Sequence, residues 1–268
     1  MRSGTEATGG TGWLRVWRPR PAARARLLCL PPAGSPAALY RPWAELIPPS
    51  VELAAVEPPG HGTRYGEPFP ASFAEVTEAV TSALARLPER PTAVYGHSLG
   101  TVPALDIARA LDRAGRPPAA LLVSSRNAPS APGGPPAAGL TDRQLLGLLR
   151  ELSGTDERVL ADPGLTQALL PVLRADIALL AAYTYTPGPP LGCPVRVYAG
   201  LDDTTTTPAG LAAWRRENPR DFRIHRLPGG HFFFRGRERS FLARLVADIA
   251  PPTAAGEGTF PPWQASKP

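Results

Sequence analysis

The chain has 268 residues, 43% of them hydrophobic and 19% charged, with a net charge of +6. That balance suits a globular protein with a sizeable core, and no uninterrupted apolar run approaches the roughly 18 residues of a membrane span, so no membrane role is expected. The positive residues are almost all arginines scattered among Ala and Pro, which speaks against nucleic-acid binding while suiting an acidic macromolecular partner.

Residues 1–12 are small and polar and lack the apolar core of a signal peptide, so they are expected to be disordered and the protein cytoplasmic. Trp13 to Trp17 predicts an edge strand and Arg26 to Leu30 a buried one. In the loop that follows, PPAGSPAALYRPW, Ser35 and Pro36 predict a helix cap and first turn. Val51 to Val56 is a further strand, followed by the turn-rich EPPGHGTRYGEP. Ser72 and Glu75 predict a capping box for a helix reaching Leu87, with Phe73, Val76, Val80 and Leu84 at helical spacing. Cys29 and Cys193 lie on separate apolar segments without metal-ligand spacing and are expected to be buried, reduced thiols.

Pro91 to Gly100, PTAVYGHSLG, organises the chain. An apolar β-type run stops at Gly96, Ser98 stands between two glycines, and Leu99 to Leu111 carries helical spacing. This is the pattern of a nucleophile elbow, in which the serine tips a sharp strand-to-helix turn and the glycines omit side chains that would clash. Ala119 to Val123 is another buried strand. Strands alternating with helices predict an α/β fold, a mostly parallel sheet with helices on both faces. From Thr141 to Tyr185 only helical signals occur: a Thr141/Gln144 capping box, an Asp162-Pro163 start, and a long apolar pattern with Pro171 inside. We read an inserted helical lobe at about 137–186. Strands resume at Pro194 to Ala199 and Phe222 to Leu227, Ser240 to Ile249 is a closing helix, and residues 251–268 read as a disordered tail.

A serine hydroxyl needs a base to take its proton, and the base needs an acid to hold its tautomer. Of four histidines, His97 points inward beside Ser98 and His225 lies within a strand. His61 belongs to a turn-rich loop, and His231 follows Pro228-Gly229-Gly230 just beyond a strand. His231 is the expected base, with His61 next. The acid is Asp202 or Asp203, after the strand ending at Ala199; the order Ser, Asp, His is that of α/β-hydrolases.

The motifs LPPAGSPA, PPGHGTRYGEP, YGHSLG, VSSRNAPS, LPVLRADIALLAAYTY, GLDD with Trp214, and GGHFFF together resemble the type II thioesterases that accompany polyketide synthases and nonribosomal peptide synthetases. The resemblance runs from about Leu28 to Ile249. It implies an α/β-hydrolase fold over residues 13–250 with a helical lid, and hydrolysis of acyl groups from the phosphopantetheine arm of acyl or peptidyl carrier protein domains. Such encounters are transient, the arm belongs to the substrate, and no metal or other cofactor is implied. Carried over by motif, Ser98 is the nucleophile, His231 the base, and Asp203, last of the G-x-x-D turn, the acid. The backbone N–H groups of Leu99 and Ala33 are the oxyanion donors. Pro32 and the Ser35-Pro36 pair depart from the family pattern around Ala33. An acidic carrier would meet arginines near the channel mouth, with Arg64 and Arg126 the candidates by position. A free-ester or acyl-CoA hydrolase and a carrier-binding protein without chemistry are the alternatives; the LRAD and GGHFFF segments weigh against the first and the intact Ser98, Asp203 and His231 against the second.

Overall fold

The computed structural model describes residues 12–131, 139–152, 154 and 157–249. The expected terminal tails therefore lie outside the described residues, except Gly12, as do residues 137–138 at the start of the expected lobe.

Strand β1 (Leu14–Arg15) is a two-residue edge, shorter than the Trp13 to Trp17 run predicts. It is followed by β2 (Ala25–Leu30), α1 (Arg41–Leu46), β3 (Val51–Val56), α2 (Phe73–Ala85), β4 (Thr92–His97), α3 (Thr101–Arg113) and β5 (Leu121–Ser124). The helical lobe contributes α4 (Asp142–Glu151), α5 (Glu157–Ala161) and α6 (Pro163–Ala182). The chain then returns through β6 (Val195–Gly200), α7 (Pro208–Ala212), β7 (Phe222–Leu227) and α8 (Glu238–Ile249). The sheet order is β1-β3-β2-β4-β5-β6-β7, with every neighbouring pair parallel except β1 with β3. This is the mostly parallel sheet of an α/β-hydrolase.

Alternation along the strands feeds two cores. Leu28, Val94, Val123 and Val197 pack with α2 and α3 on one face, while Leu27, Tyr95, Leu122 and Tyr198 pack with α1 and α8 on the other. Cys29 and Cys193 are free and buried. Burial pushes the Cys29 thiol well up, and burial with the nearby Asp112 charge takes Cys193 up to about 12. Because the central strands run the same way, their carboxyl ends gather at one rim, and the loops carrying Ser98, Ser125, Asp203 and His231 all leave from it.

Several local expectations shift. Ser35 caps nothing: the chain enters a 3₁₀ turn, Ala37–Tyr40, that leads into α1 and has Pro36 at its N-cap, so Ser35 stands one residue outside it. At α2, Ser72 caps as expected, but the Glu75 carboxylate accepts from Ala71 N rather than closing the box on Ser72, and the helix ends before Leu87. The Thr141/Gln144 box and the Asp162 cap form as predicted. Helix α6 is apolar on average although no uninterrupted run in it is long. Its 20 residues include an 18-residue window of mean hydropathy 1.5, long and apolar enough by length and composition to cross a membrane, with 22% of that window buried. Arg174 and Asp176 interrupt the apolar run without lowering the mean below that level, so counting uninterrupted residues misses it.

Candidate active site

Ser98 stands at φ +51°, a conformation non-glycine residues rarely adopt, in a three-residue 3₁₀ turn between β4 and α3. Both flanking glycines are required by close approach. A Cβ on Gly96 would lie 2.4 Å from Gly100 O, and one on Gly100 would lie 2.5 Å from Leu30 O and 2.6 Å from Pro31 O. The helix begins at Thr101 rather than Leu99, because this turn must close first.

Across the rim, His231 Nδ1 lies 3.2 Å from Asp203 Oδ2 and 3.3 Å from Oδ1. Thr205 completes the arrangement: its N–H and hydroxyl both donate to Asp203 Oδ1, at 3.0 and 2.6 Å. A carboxylate only accepts, so Nδ1 of His231 carries the proton and Nε2 is left to accept one. Burial alone would raise the Asp203 carboxyl, but the hydrogen bond and charge of His231, with the two Thr205 donors, outweigh it and hold the group well below the usual carboxylate range. Asp202 is exposed whereas Asp203 is buried, which separates the two adjacent candidates. Nε2 of His231 is buried and has no hydrogen-bond partner among the described residues, so the Ser98 hydroxyl is not bonded to it here. Such bonds commonly tighten only in the substrate complex.

His97 is fully buried as expected, its ring centroid 5.1 Å from that of His231 and 4.8 Å from that of Phe232. Its Nδ1 meets Ser124 Oγ at 2.8 Å, and the same hydroxyl meets Tyr95 OH at 2.8 Å. Burial, and then the charge of His231, pushes the His97 pKa far down, so this second imidazole stays neutral beside the first. His225 stacks on Tyr198 and faces Asp248 at 3.3 Å, away from the site. His61, the second choice of base, is buried and bonded to Pro59 O and Asp176.

Ala33 lies half-buried in the loop after β2, where Ser35 N bonds to Pro32 O and Gly34 N to Asp176. Of the two arginines expected at the channel mouth, Arg64 is paired within the fold and Arg126 is half-buried. Arg64 pairs with Glu67 at 2.6 Å, donates to Glu57 O and lies 5.0 Å over the Trp13 ring. Arg126 is half-buried with its Nε unpartnered, and burial lowers its pKa. Neither is the solvated rim cation that position alone suggests.

Sequence reasoning missed Thr205 and Ser125. Thr205 is hidden in a run of four threonines. Ser125 stands at φ +53°, and the second serine of VSSRNAPS was the available signal. The end of β6 meets the base loop directly, since a Cβ on Gly200 would lie 2.2 Å from Gly230 O. A cavity of ≈230 Å³ opens beside the acid and base, lined by Leu152 from the lobe together with Asp203, Thr204, His231, Phe232 and Arg235.

A profile of the family described as "Thioesterase domain" matches residues 25–249. The chain is 36% identical over 266 residues to "Thioesterase PikA5" of Streptomyces venezuelae, covering 94% of this chain and 95% of that one. It is 34% identical over 214 residues to "Gramicidin S biosynthesis protein GrsT" of Aneurinibacillus migulanus, covering 79% and 84%. The solved structure of the type II thioesterase BorB, from the borrelidin biosynthetic cluster, superposes with a TM-score of 0.82 at 34% identity, covering 91% of this chain and 100% of that one.

Proposed function

The chain belongs to the thioesterase domain family and is a thioester hydrolase related to those of polyketide and nonribosomal peptide biosynthesis, and from that premise we propose a specific substrate and mechanism. The substrate is an acyl group on the phosphopantetheine arm of a carrier protein domain, met transiently in the cytoplasm, and the role is removal of stalled or wrong acyl groups.

Ser98 attacks the thioester carbonyl while His231 Nε2 takes its proton. The N–H groups of Leu99 and Ala33 hold the oxyanion, His231 returns the proton to the leaving thiol, and water, activated by the same imidazole, clears the acyl-enzyme. Asp203 keeps the base in the required tautomer and stabilises the imidazolium. The observation that carries this reading is the His231 ring: Nδ1 held by Asp203, Nε2 buried without a partner among the described residues, and a strained serine on the same sheet rim. The helical lobe acts as a lid that shapes the acyl pocket, supported by the reach of Leu152 into the cavity beside the base. Arg64, paired with Glu67, and the half-buried Arg126 act on an acidic carrier through the positive field rather than by direct contact.

The test is Ser98→Ala. It should fold as the wild type, because Ala meets the same backbone strain, and release no acyl group from carrier or from a small thioester. Wild-type turnover by this variant would overturn the mechanism. Equal kcat/KM for carrier-bound and free pantetheine thioesters in the wild type would overturn the carrier as preferred substrate.

A further inference from the structure

Three segments distant in sequence meet at one carboxylate oxygen. Asp176 Oδ2, on α6, accepts the N–H of Gly34 at 2.7 Å and faces His61 Nε2 at 3.1 Å. Both side chains are buried, Asp176 at 6% exposure and His61 at 3%. The other ring nitrogen, Nδ1, lies 3.1 Å from Pro59 O. A carbonyl and a carboxylate only accept, so both nitrogens must donate and the ring is an imidazolium. Burial opposes that charge, but the Asp176 and Pro59 contacts, helped by the nearby Glu57, outweigh it and raise the His61 pKa. Glu57 in turn is held by Arg15 and Thr63, and the Phe69 ring edges onto His61.

The Gly34 contact acts on the loop that holds Ala33. The bond from Ser35 N to Pro32 O, with Gly34 at φ +71°, describes a type II turn with Ala33 and Gly34 at its two central positions. Types I and II differ by a half-rotation of the central peptide, and the N–H of that peptide is the one Asp176 takes. Leu169 and Leu173 of α6 wall the same side, since a Cβ at residue 34 would lie 3.3 Å from Leu169 Cδ1. The helix that carries the carboxylate therefore also packs directly against the turn.

We propose that Asp176 is a positioning residue for acyl transfer: by holding the Ala33–Gly34 peptide it fixes the turn, and with it the Ala33 N–H, where the thioester oxyanion forms. This rests on the reading of Ser98 and Ala33 given above. It also links the lobe to the chemistry, because displacing α6 removes Asp176 from the turn.

The test pairs two variants on a small acyl thioester. Asp176→Leu with His61→Phe removes both charges while keeping size, leaving the Gly34 N–H without its acceptor and Pro59 O without the imidazole donor. Asp176→Asn keeps an amide oxygen for the Gly34 N–H at the place of Oδ2, and a neutral His61 donates its Nε2–H to the same oxygen. Losing a whole oxyanion donor costs about 10²–10³ in kcat, so loosening one should cost the double variant about 10- to 100-fold, with KM within about threefold because the oxyanion exists only in the transition state. Asp176→Asn should recover kcat to within about threefold of wild type. A folded double variant with wild-type kcat overturns the proposal, as does an Asn variant as impaired as the double variant. Should the double variant not fold, the wild-type Gly34 amide decides by hydrogen exchange: protection supports the contact, and exchange as free as an exposed loop amide overturns it. Ser98→Ala is assayed alongside. If it is inactive while the double variant is unimpaired, only the Asp176 role falls; if it is active, the acyl-enzyme reading falls and this role with it.

Discussion

The Ser125 hydroxyl donates to the main-chain carbonyl of His231 at 2.7 Å, while the Ser125 N–H donates to Tyr198 O at 2.9 Å. One strained residue at the end of β5 therefore holds the base loop against the neighbouring strand. Ser125→Ala should cost about 1–3 kcal/mol of stability, because a buried carbonyl loses its donor. It should also lower kcat by about tenfold as the imidazole loses its exact placement. Ser125→Gly, which accepts φ +53° freely, should recover part of the stability and none of the kcat. Thermal unfolding and steady-state kinetics on both variants check this; equal kcat in wild type and both variants would remove Ser125 from the positioning of His231.

Asp203→Asn should cost far more activity than Asp202→Asn. Loss of the acid costs on the order of 10⁴-fold in serine protease triads, since Asn imposes the wrong tautomer on the base. Asp202 is exposed and it is Asp203 that is bonded to His231, so replacing Asp202 should stay within about twofold, as for an ordinary surface change. Comparing kcat/KM of the two variants settles the order, and the reverse ranking would transfer the acid role to Asp202.

Stability should respond to pH at both ends through two identifiable groups. Asp203 has a depressed folded pKa, so its contribution is present above the ordinary carboxylate value of about 3.9 and is lost as pH falls through the folded value. His61 has a raised folded pKa, so its contribution is complete below about 6.5 and is lost as pH rises through the folded value. Unfolding temperatures of wild type against Asp203→Asn should converge in acid. Those of wild type against the Asp176→Leu, His61→Phe pair should shift against the wild type as pH rises above about 6.5. A pH-independent difference in either comparison would mean that the group named does not titrate with folding.

Hydrogen exchange should divide the lobe. Helices α4 and α5 meet α6 in a small cluster of Leu145, Leu149, Leu160 and Leu173, separate from the two sheet cores. The far end of α6 is tied down by Asp176 and by the Tyr183 hydroxyl donating to Asp106 at 3.1 Å. Amides of α4, α5 and the first half of α6 should exchange well before those of β4 and β5, with Pro171 marking the change along α6. Protection throughout the lobe equal to that of the central strands would make it a rigid subdomain rather than a lid.

Much of this was legible in the sequence because the determining interactions are local. Val51–Val56 announces a strand by composition, Asp162-Pro163 and Thr141/Gln144 announce helix starts by hydrogen bonds spanning three residues, and Gly96-x-Ser98-x-Gly100 announces a turn that only small residues fit. What escaped depends on distance. Asp176 and Gly34 are 142 residues apart, and nothing near either names the other. Ser35 looks like a helix cap, but the following 3₁₀ turn starts at Ala37 and leaves Pro36 at the cap position. The sequence also does not reveal that Arg64 would be paired with Glu67 or that Arg126 would be half-buried.

The near-contact between Gly200 and the carbonyls of Gly229 and Gly230 bears on how such an enzyme can diversify. Acid strand and base loop touch backbone to backbone, so any side chain at position 200 would wedge the catalytic pair apart, and the same exclusion holds at positions 96 and 100 around the serine. A mutant library spread over the sheet rim would be spent largely on inactive members. One confined to α4 and to the first half of α6, where side chains have room to change size, would vary the acyl group accepted while the bond-breaking machinery stays untouched.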